Sequence, residues 1–202
     1  MSFHDIFGIA AGLLEVVAIS SYIRSIFKGT TKPNRVTWWI LAIVSGIITI
    51  SYFASGARET IWLPVAYTLA FTIIGLLSIK YGEGKPSLSL IDRISLAGAL
   101  VSASVWLLVK SPIPTLFMSM VTELIGLGPT INKSYQRPWT ENRLSWILAT
   151  IASFLNVLAV GEWTVVIAGY PLYVLLTNSI IVYLIMRKKF AKDAMPLLNK
   201  CK

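Results

Sequence analysis

Seven long apolar stretches constrain this sequence more than any other feature. A helix that crosses a bilayer needs about 20 mostly apolar residues, and each stretch comes close to that length. Hydrophobic residues make up 55% of the chain and charged residues only 13%, about half the charge of an ordinary soluble domain. The pattern predicts an all-α membrane protein with seven transmembrane helices, at residues 6–27, 36–55, 61–81, 91–109, 113–133, 143–160 and 163–186.

The basic residues fall almost entirely on one side of these predicted helices. Sixteen of the eighteen lysines and arginines lie in the first, third and fifth connections or after the last helix. Only Arg58 and Lys110 lie on the other side. Because basic loops stay in the cytoplasm, the N-terminus is expected outside and the C-terminus inside. The net charge of +9 therefore predicts that the tail contacts anionic lipids, and not that the protein binds nucleic acid.

A short motif occurs twice, as Asn-Arg-Val-Thr-Trp at 34–38 and as Asn-Arg-Leu-Ser-Trp at 142–146. The same spacing of 108 residues aligns Glu15 with Glu123. An internal repeat across an odd linker helix gives both halves the same membrane orientation. We therefore expect two parallel three-helix bundles, a linker helix and a basic tail, at residues 1–82, 112–187, 83–111 and 188–202 respectively.

The segment GPTINKSYQRPWTENRLSW at 128–146 resembles the PQ-loop and SWEET-type transporters. Their repeats place a Pro-Gln dipeptide at the inner end of one helix and Gly-Leu-Ser at the start of the next. Pro129-Thr130 and the sequence RLS at 143–145 occupy these positions here, and Ser21-Tyr22 and the sequence RVT at 35–37 occupy them in the first repeat.

The resemblance implies a carrier for a small solute, with its site between the two bundles near mid-membrane. It also implies that an asparagine in the third helix of each repeat helps to hold the solute. Asn178 matches that role in the second repeat, and Thr72 stands near the equivalent position in the first. Since that asparagine is replaced, the resemblance does not assign a sugar as the solute.

Glu15 and Glu123 are the strongest candidates for chemistry. Each lies about ten residues from the outer end of its helix, or ~15 Å at 1.5 Å per residue, which is the middle of the bilayer. An ionisable group at that depth is expected to face the bundle interior. We expect both carboxyl groups to line one central cavity and to bind a cationic group or exchange protons. The alternative is a structural role, with each protonated carboxyl bonding a nearby backbone or hydroxyl group.

Other polar residues and prolines complete the candidate site. Asn156, Asn178 and Thr72 are expected to hydrogen-bond the solute. Proline inside a membrane helix frees backbone groups and allows bending, and the repeated motif lies where an inner gate would form. The expected gate or hinge residues are Pro64, Pro129, Pro171, Arg35, Trp38, Arg143 and Trp146. For the repeated motif the alternative is an anchor at the cytoplasmic headgroups.

Patterns typical of enzymes and cofactor sites are missing from the sequence. The only histidine, His4, precedes the first predicted helix, and residues 163–186 contain no lysine that could carry retinal. No zinc-spaced Cys/His set, P-loop or dinucleotide glycine pattern occurs. The single cysteine, Cys201, cannot form an intramolecular disulfide. We therefore expect no enzyme activity, no metal and no cofactor.

These features predict a multi-pass protein of the plasma membrane that carries a small polar solute, alone or with protons. A seven-helix receptor or assembly protein that does not transport is one alternative. A cation channel lined by the two carboxyl groups is another. Association into homo-oligomers is left open.

Overall fold

The computed structural model describes residues 2–33, 35–82, 90–109 and 111–198, and the regular structure in these ranges is all helical. Two short 3-10 turns, Glu59–Ile61 and Pro138–Thr140, precede α3 and α6. The predicted all-α class with seven helices is confirmed. The α-helices are α1 (Phe3–Phe27), α2 (Arg35–Ala54), α3 (Trp62–Tyr81), α4 (Leu90–Val109), α5 (Pro112–Gln136), α6 (Arg143–Leu158) and α7 (Val165–Leu198).

Four helical segments are long and apolar enough to cross a membrane, namely Phe3–Phe27, Arg35–Ala54, Glu59–Tyr81 and Val165–Arg187. Two shorter apolar helices, Arg93–Val109 and Arg143–Leu158, accompany them. Many large apolar side chains face outward, among them Leu69 and Leu108 at 59% and 82% exposure. An apolar outer surface of this kind suits contact with lipid.

Helix starts follow local capping chemistry. Ser2 and Asp5 form a capping box, because each side chain accepts a hydrogen bond from the backbone nitrogen of the other. The Asn142 side chain accepts from the Ser145 backbone nitrogen at 3.1 Å, and so caps the start of α6. Its counterpart Asn34 lies outside the described residues.

The last helix is longer than the sequence predicts. We expected an end near residue 186, but α7 continues to Leu198. Lysine, alanine, leucine and methionine dominate this extension and are strong helix formers. The side chains beyond Arg187, and with them the predicted lipid contact of the tail, lie outside the described residues.

The helices pack as two similar sets. Helix α3 packs against both α1 and α2, and α7 packs against both α5 and α6. Between the sets, α1 packs along α6 and α2 packs along α5. Exchanging α1 with α5, α2 with α6 and α3 with α7 converts each of these pairings into another one. Helix α4 packs on α5 and α2, outside this exchange.

Two glycines bring α1 unusually close to the start of α3. A Cβ atom at Gly8 would overlap the backbone carbonyl of Glu59. At Gly12 a Cβ would lie 3.0 Å from the Cβ of Trp62. Small residues at such positions let membrane helices approach closely, so the glycines of this helix serve packing.

Candidate functional site

A cavity of about 60 Å³ lies between the two helix sets, and every helix except α4 contributes to its lining. Glu15 from α1 and Glu123 from α5 both line it, and each is only 4% exposed. Asn178 from α7 and the two tryptophans of the repeated motif, Trp38 and Trp146, line it as well. Five of the candidate residues therefore meet in one place, although they come from five different helices.

Each glutamate lies beside a tyrosine of the third helix in its own set. Glu15 neighbours Tyr67 of α3, and Glu123 neighbours Tyr173 of α7. Within the described ranges the one ion pair joins two other residues, so neither glutamate has a basic partner there. One carboxyl oxygen of Glu15, Oε2, has no hydrogen-bond partner among the described atoms. The carboxyl groups are buried without a counter-charge.

Asn178 connects three helices at the level of the cavity. Its Nδ2 donates to the Tyr67 hydroxyl at 2.8 Å and to the Ser153 hydroxyl at 2.8 Å. Tyr67 in turn lies beside Glu15, and Ser153 donates to the Ala149 carbonyl at 2.7 Å. The result is a polar chain from α6 through α7 and α3 to the carboxyl group on α1.

Aromatic side chains form one side of the cavity. The ring centroids of Trp38 lie 5.4 Å from those of Tyr22 and Phe71, and Tyr67 stacks on Phe71 at 5.3 Å. We call Tyr22, Trp38, Tyr67 and Phe71 the aromatic wall. Sequence reasoning missed Tyr22 and Phe71 as lining residues. The available signal was helical spacing, because Tyr22 follows Glu15 by seven residues and Phe71 follows Tyr67 by four.

Asn156 and Thr72 lie outside the cavity lining. Asn156 is fully buried in α6, and neither its Oδ1 nor its Nδ2 has a partner among the described residues. The Thr72 hydroxyl donates to the backbone carbonyl of Thr68 at 2.7 Å. Their positions along their helices predicted that these two residues lie near the middle of the bundle. The structure does not bring them to the carboxyl groups.

The three prolines predicted as hinges, Pro64, Pro129 and Pro171, lie at different levels of the helix bundle. Pro129 interrupts α5 immediately before Thr130, which lines the cavity. Pro64 lies in the first turn of α3, and its carbonyl accepts hydrogen bonds from Thr49 and Thr68 at 3.0 Å each. Pro171 is buried near the start of α7. Of the three, Pro129 is the one next to a lining residue.

The arginine of each repeated motif lies beside the third helix in its set. Arg35 donates to the backbone carbonyls of Ser78 and Ile79 at 3.4 and 2.9 Å, in the last turn of α3. The Ser78 carbonyl also accepts from the Gly82 backbone nitrogen at 2.9 Å. Arg143 borders a crevice with Ile185 and Met186 of α7, at nearly the same repeat spacing. The Arg35 guanidinium group therefore binds backbone carbonyls of α3.

An ion pair that sequence reasoning missed fixes the position of Trp146. Lys133 lies 3.1 Å from one carboxylate oxygen of Glu141, and the indole nitrogen of Trp146 donates to the other at 3.1 Å. The Glu141 side chain is 3% exposed and that of Lys133 is 27% exposed. The connection between α5 and α6 thus holds a lining residue in place.

The lining combines carboxyl groups, an amide and aromatic rings, which suits reversible binding of a small solute. In the described part of the chain, no group of three or more His, Cys, Asp or Glu side chains is placed to hold a metal ion. No protein-family model, curated protein or solved structure matches this chain. The chemistry of the cavity is therefore the basis for assigning a function.

Proposed function

We propose that this protein is a multi-pass membrane carrier for a small solute, which binds in the central cavity. The observation that carries the proposal is the meeting of Glu15 and Glu123 in one cavity. These residues are 108 positions apart and equivalent by the repeat, and they project from different helix sets. Ionisable groups at membrane depth typically mark substrate or ion pathways.

The exchangeable packing of the helices supports a parallel repeat. In this proposal all seven helices span the membrane, and α4 is the linker that gives both sets the same orientation. The N-terminus is outside and the C-terminus inside, as the distribution of basic residues requires, and the membrane is the plasma membrane. Rocking of one set against the other would alternate access to the cavity.

Contacts near the outer ends of α2 and α7 support closure on that side. The Tyr52 hydroxyl donates to the carbonyl of Ile167 at 2.6 Å and bonds the Thr60 hydroxyl at 2.7 Å. Its ring also packs on Tyr170 at 5.1 Å. Toward the other end the lining continues to Thr130 and Ser145. This conformation corresponds to a carrier that is closed outside, with Pro129 and the repeated motifs around the inner entrance.

The test is uptake of a panel of small polar metabolites by proteoliposomes that contain the purified protein. A double variant, Glu15→Gln with Glu123→Gln, is measured beside Glu162→Gln, which removes an exposed carboxylate far from the cavity. We expect uptake by the wild type and by the control, and loss of uptake in the double variant. Full uptake by the double variant would contradict a role for the carboxyl groups, and unitary currents would indicate a channel instead.

A further inference from the structure

The described lining of the cavity contains two carboxyl groups and no basic side chain. Glu15 and Glu123 line it, and among the described residues no lysine, arginine or histidine does. A solute with a carboxylate or phosphate group would find no counter-charge there and would meet two carboxyl groups. A solute with a positive charge would gain a charge-assisted hydrogen bond, the stronger kind.

The hydrogen-bond directions also favour a solute that donates. Both hydrogens of the Asn178 amide are used, by Tyr67 and Ser153. The Thr177 hydroxyl donates to the backbone carbonyls of Tyr173 and Val174, at 3.0 Å each. The Asn178 oxygen and the two carboxyl groups remain to accept, and the Ser145 hydroxyl, which has no partner among the described residues, can accept as well as donate. An ammonium group, which has donors and no acceptor, matches this arrangement.

The aromatic wall adds a second, independent preference. The ring faces of indole and phenol groups attract cations, most strongly when water is excluded. Trp38 contacts both Tyr22 and Phe71, so three rings gather on one side of a cavity that has carboxyl groups in its lining. Rings and carboxyl groups together fit an organic cation better than a metal ion, which needs several oxygen ligands.

We propose that the solute is a small organic ammonium ion without a carboxylate group, held by the two glutamates and the aromatic wall. This inference rests on the proposed function, since it names the solute class of the same cavity. The cavity volume of about 60 Å³ holds roughly four water-sized groups. Propylammonium, with one nitrogen and three carbons, is therefore a suitable probe.

The binding test uses the purified full chain in detergent with four probes of matched size. Propylammonium is compared with 1-propanol, with propanoate and with zwitterionic glycine, by thermal shift and by calorimetry. We expect binding of propylammonium only. Its affinity should fall about tenfold in Trp38→Leu and about 100-fold in the double Glu→Gln variant, and should stay unchanged in Glu162→Gln.

Two results would overturn the inference. Equal binding of 1-propanol would mean that the cavity selects apolar size and not charge. Unchanged affinity in the double variant, or in the single variants Glu15→Gln and Glu123→Gln if the double variant does not fold, would remove the carboxyl groups from recognition.

Uptake by proteoliposomes separates failure of this inference from failure of the carrier function. If another solute is taken up in a glutamate-dependent way and propylammonium neither binds nor crosses, the inference is wrong and the carrier remains. If propylammonium binds with the expected variant pattern but nothing crosses, the carrier function is wrong and the cation site remains. If no probe binds and no solute crosses, both are wrong.

Discussion

The Asn142 side chain donates to the backbone carbonyl of Ser21 at 3.0 Å and thereby connects the start of α6 to the C-terminal part of α1. The same side chain accepts from the Ser145 backbone nitrogen and caps its own helix. By the repeat spacing, Ser21 occupies the position that Pro129 holds in the second half. One asparagine of the repeated motif therefore caps the start of α6 and joins the two helix sets.

Replacing Asn142 should separate these two roles. We expect Asn142→Ala to lower the free energy of unfolding by about 1–2 kcal/mol, since both the cap and the bond to Ser21 are lost. Asn142→Asp keeps a capping oxygen and should lose less. Thermal unfolding in detergent measures both, and Asn132→Ala, at an exposed position in α5, is the control. Equal stability of the two alanine variants would contradict the interhelical role.

Adding one methyl group at Gly8 should loosen the contact between α1 and α3. Because a Cβ there overlaps the carbonyl of Glu59, Gly8→Ala should cost about 1–3 kcal/mol of unfolding free energy. Gly169→Ala is the matched control, since nothing lies within 4 Å of its added Cβ. That control should be neutral or slightly stabilising, because alanine favours helix over glycine. A melting temperature of Gly8→Ala at or above that of the control would argue against this close approach.

The ion pair between Lys133 and Glu141 should show energetic coupling. Lys133→Met leaves a buried carboxylate without its partner and should destabilise the protein by about 1–3 kcal/mol. Adding Glu141→Gln should recover part of this loss, because no charge then remains unpaired. A double-mutant cycle on unfolding free energies measures the coupling, expected at about 1 kcal/mol. Strictly additive effects would mean that the pair contributes nothing.

Tyr67→Phe should weaken both the polar chain and the site. The change removes the hydroxyl that accepts from Asn178 and lies beside Glu15, at a cost of about 1 kcal/mol in stability. We expect solute affinity to fall as well, by roughly tenfold, because Glu15 loses a neighbour that fixes its orientation. Tyr183→Phe, at 68% exposure, should change neither. Calorimetry and thermal unfolding provide the two readouts, and identical behaviour of the two variants would exclude Tyr67 from the site.

The proposed membrane topology can be tested by labelling cysteines with thiol reagents. The native Cys201 should react with a membrane-impermeant maleimide only after the cells are opened, because the C-terminus is placed inside. Ser2→Cys in a Cys201→Ser background should react in intact cells. Labelling of Cys201 in intact cells would reverse the orientation and change which entrance of the cavity is cytoplasmic.

Counting along the sequence was enough to place some residues but not others. Glu15 and Glu123 could be assigned to a common level because depth depends only on the number of residues from the helix end. Asn156 lies seven residues, or ~10 Å, nearer to the C-terminal end of α6 than Ala149, which lines the cavity. The Asn156 side chain is fully buried in the bundle, but the extent of the cavity cannot be read from a sequence.

Helix rotation and loop conformation account for the remaining differences. Phe71 lines the cavity and its neighbour Thr72 does not, since one residue turns a helix by about 100°. The contact of Lys133 with Glu141 depends on the path of the connection between α5 and α6. Sequence reasoning treated Lys133 only as a marker of the cytoplasmic side, because unlike a helix face such a connection has no periodicity to follow.

Because α1 packs along α6, the first helix is synthesised long before one of its main packing partners. The ribosome completes α1 at residue 27 and α6 only at residue 158. At about 5–20 residues per second, the newly inserted first helix waits roughly 7–26 s for this partner. During that interval α2, α3 and α5 are the neighbours that can shelter the carboxyl group of Glu15, because all three line its cavity and precede α6 in the chain. If all seven helices span the membrane as proposed, the cell must keep this acidic helix stable in the bilayer until α6 has been made.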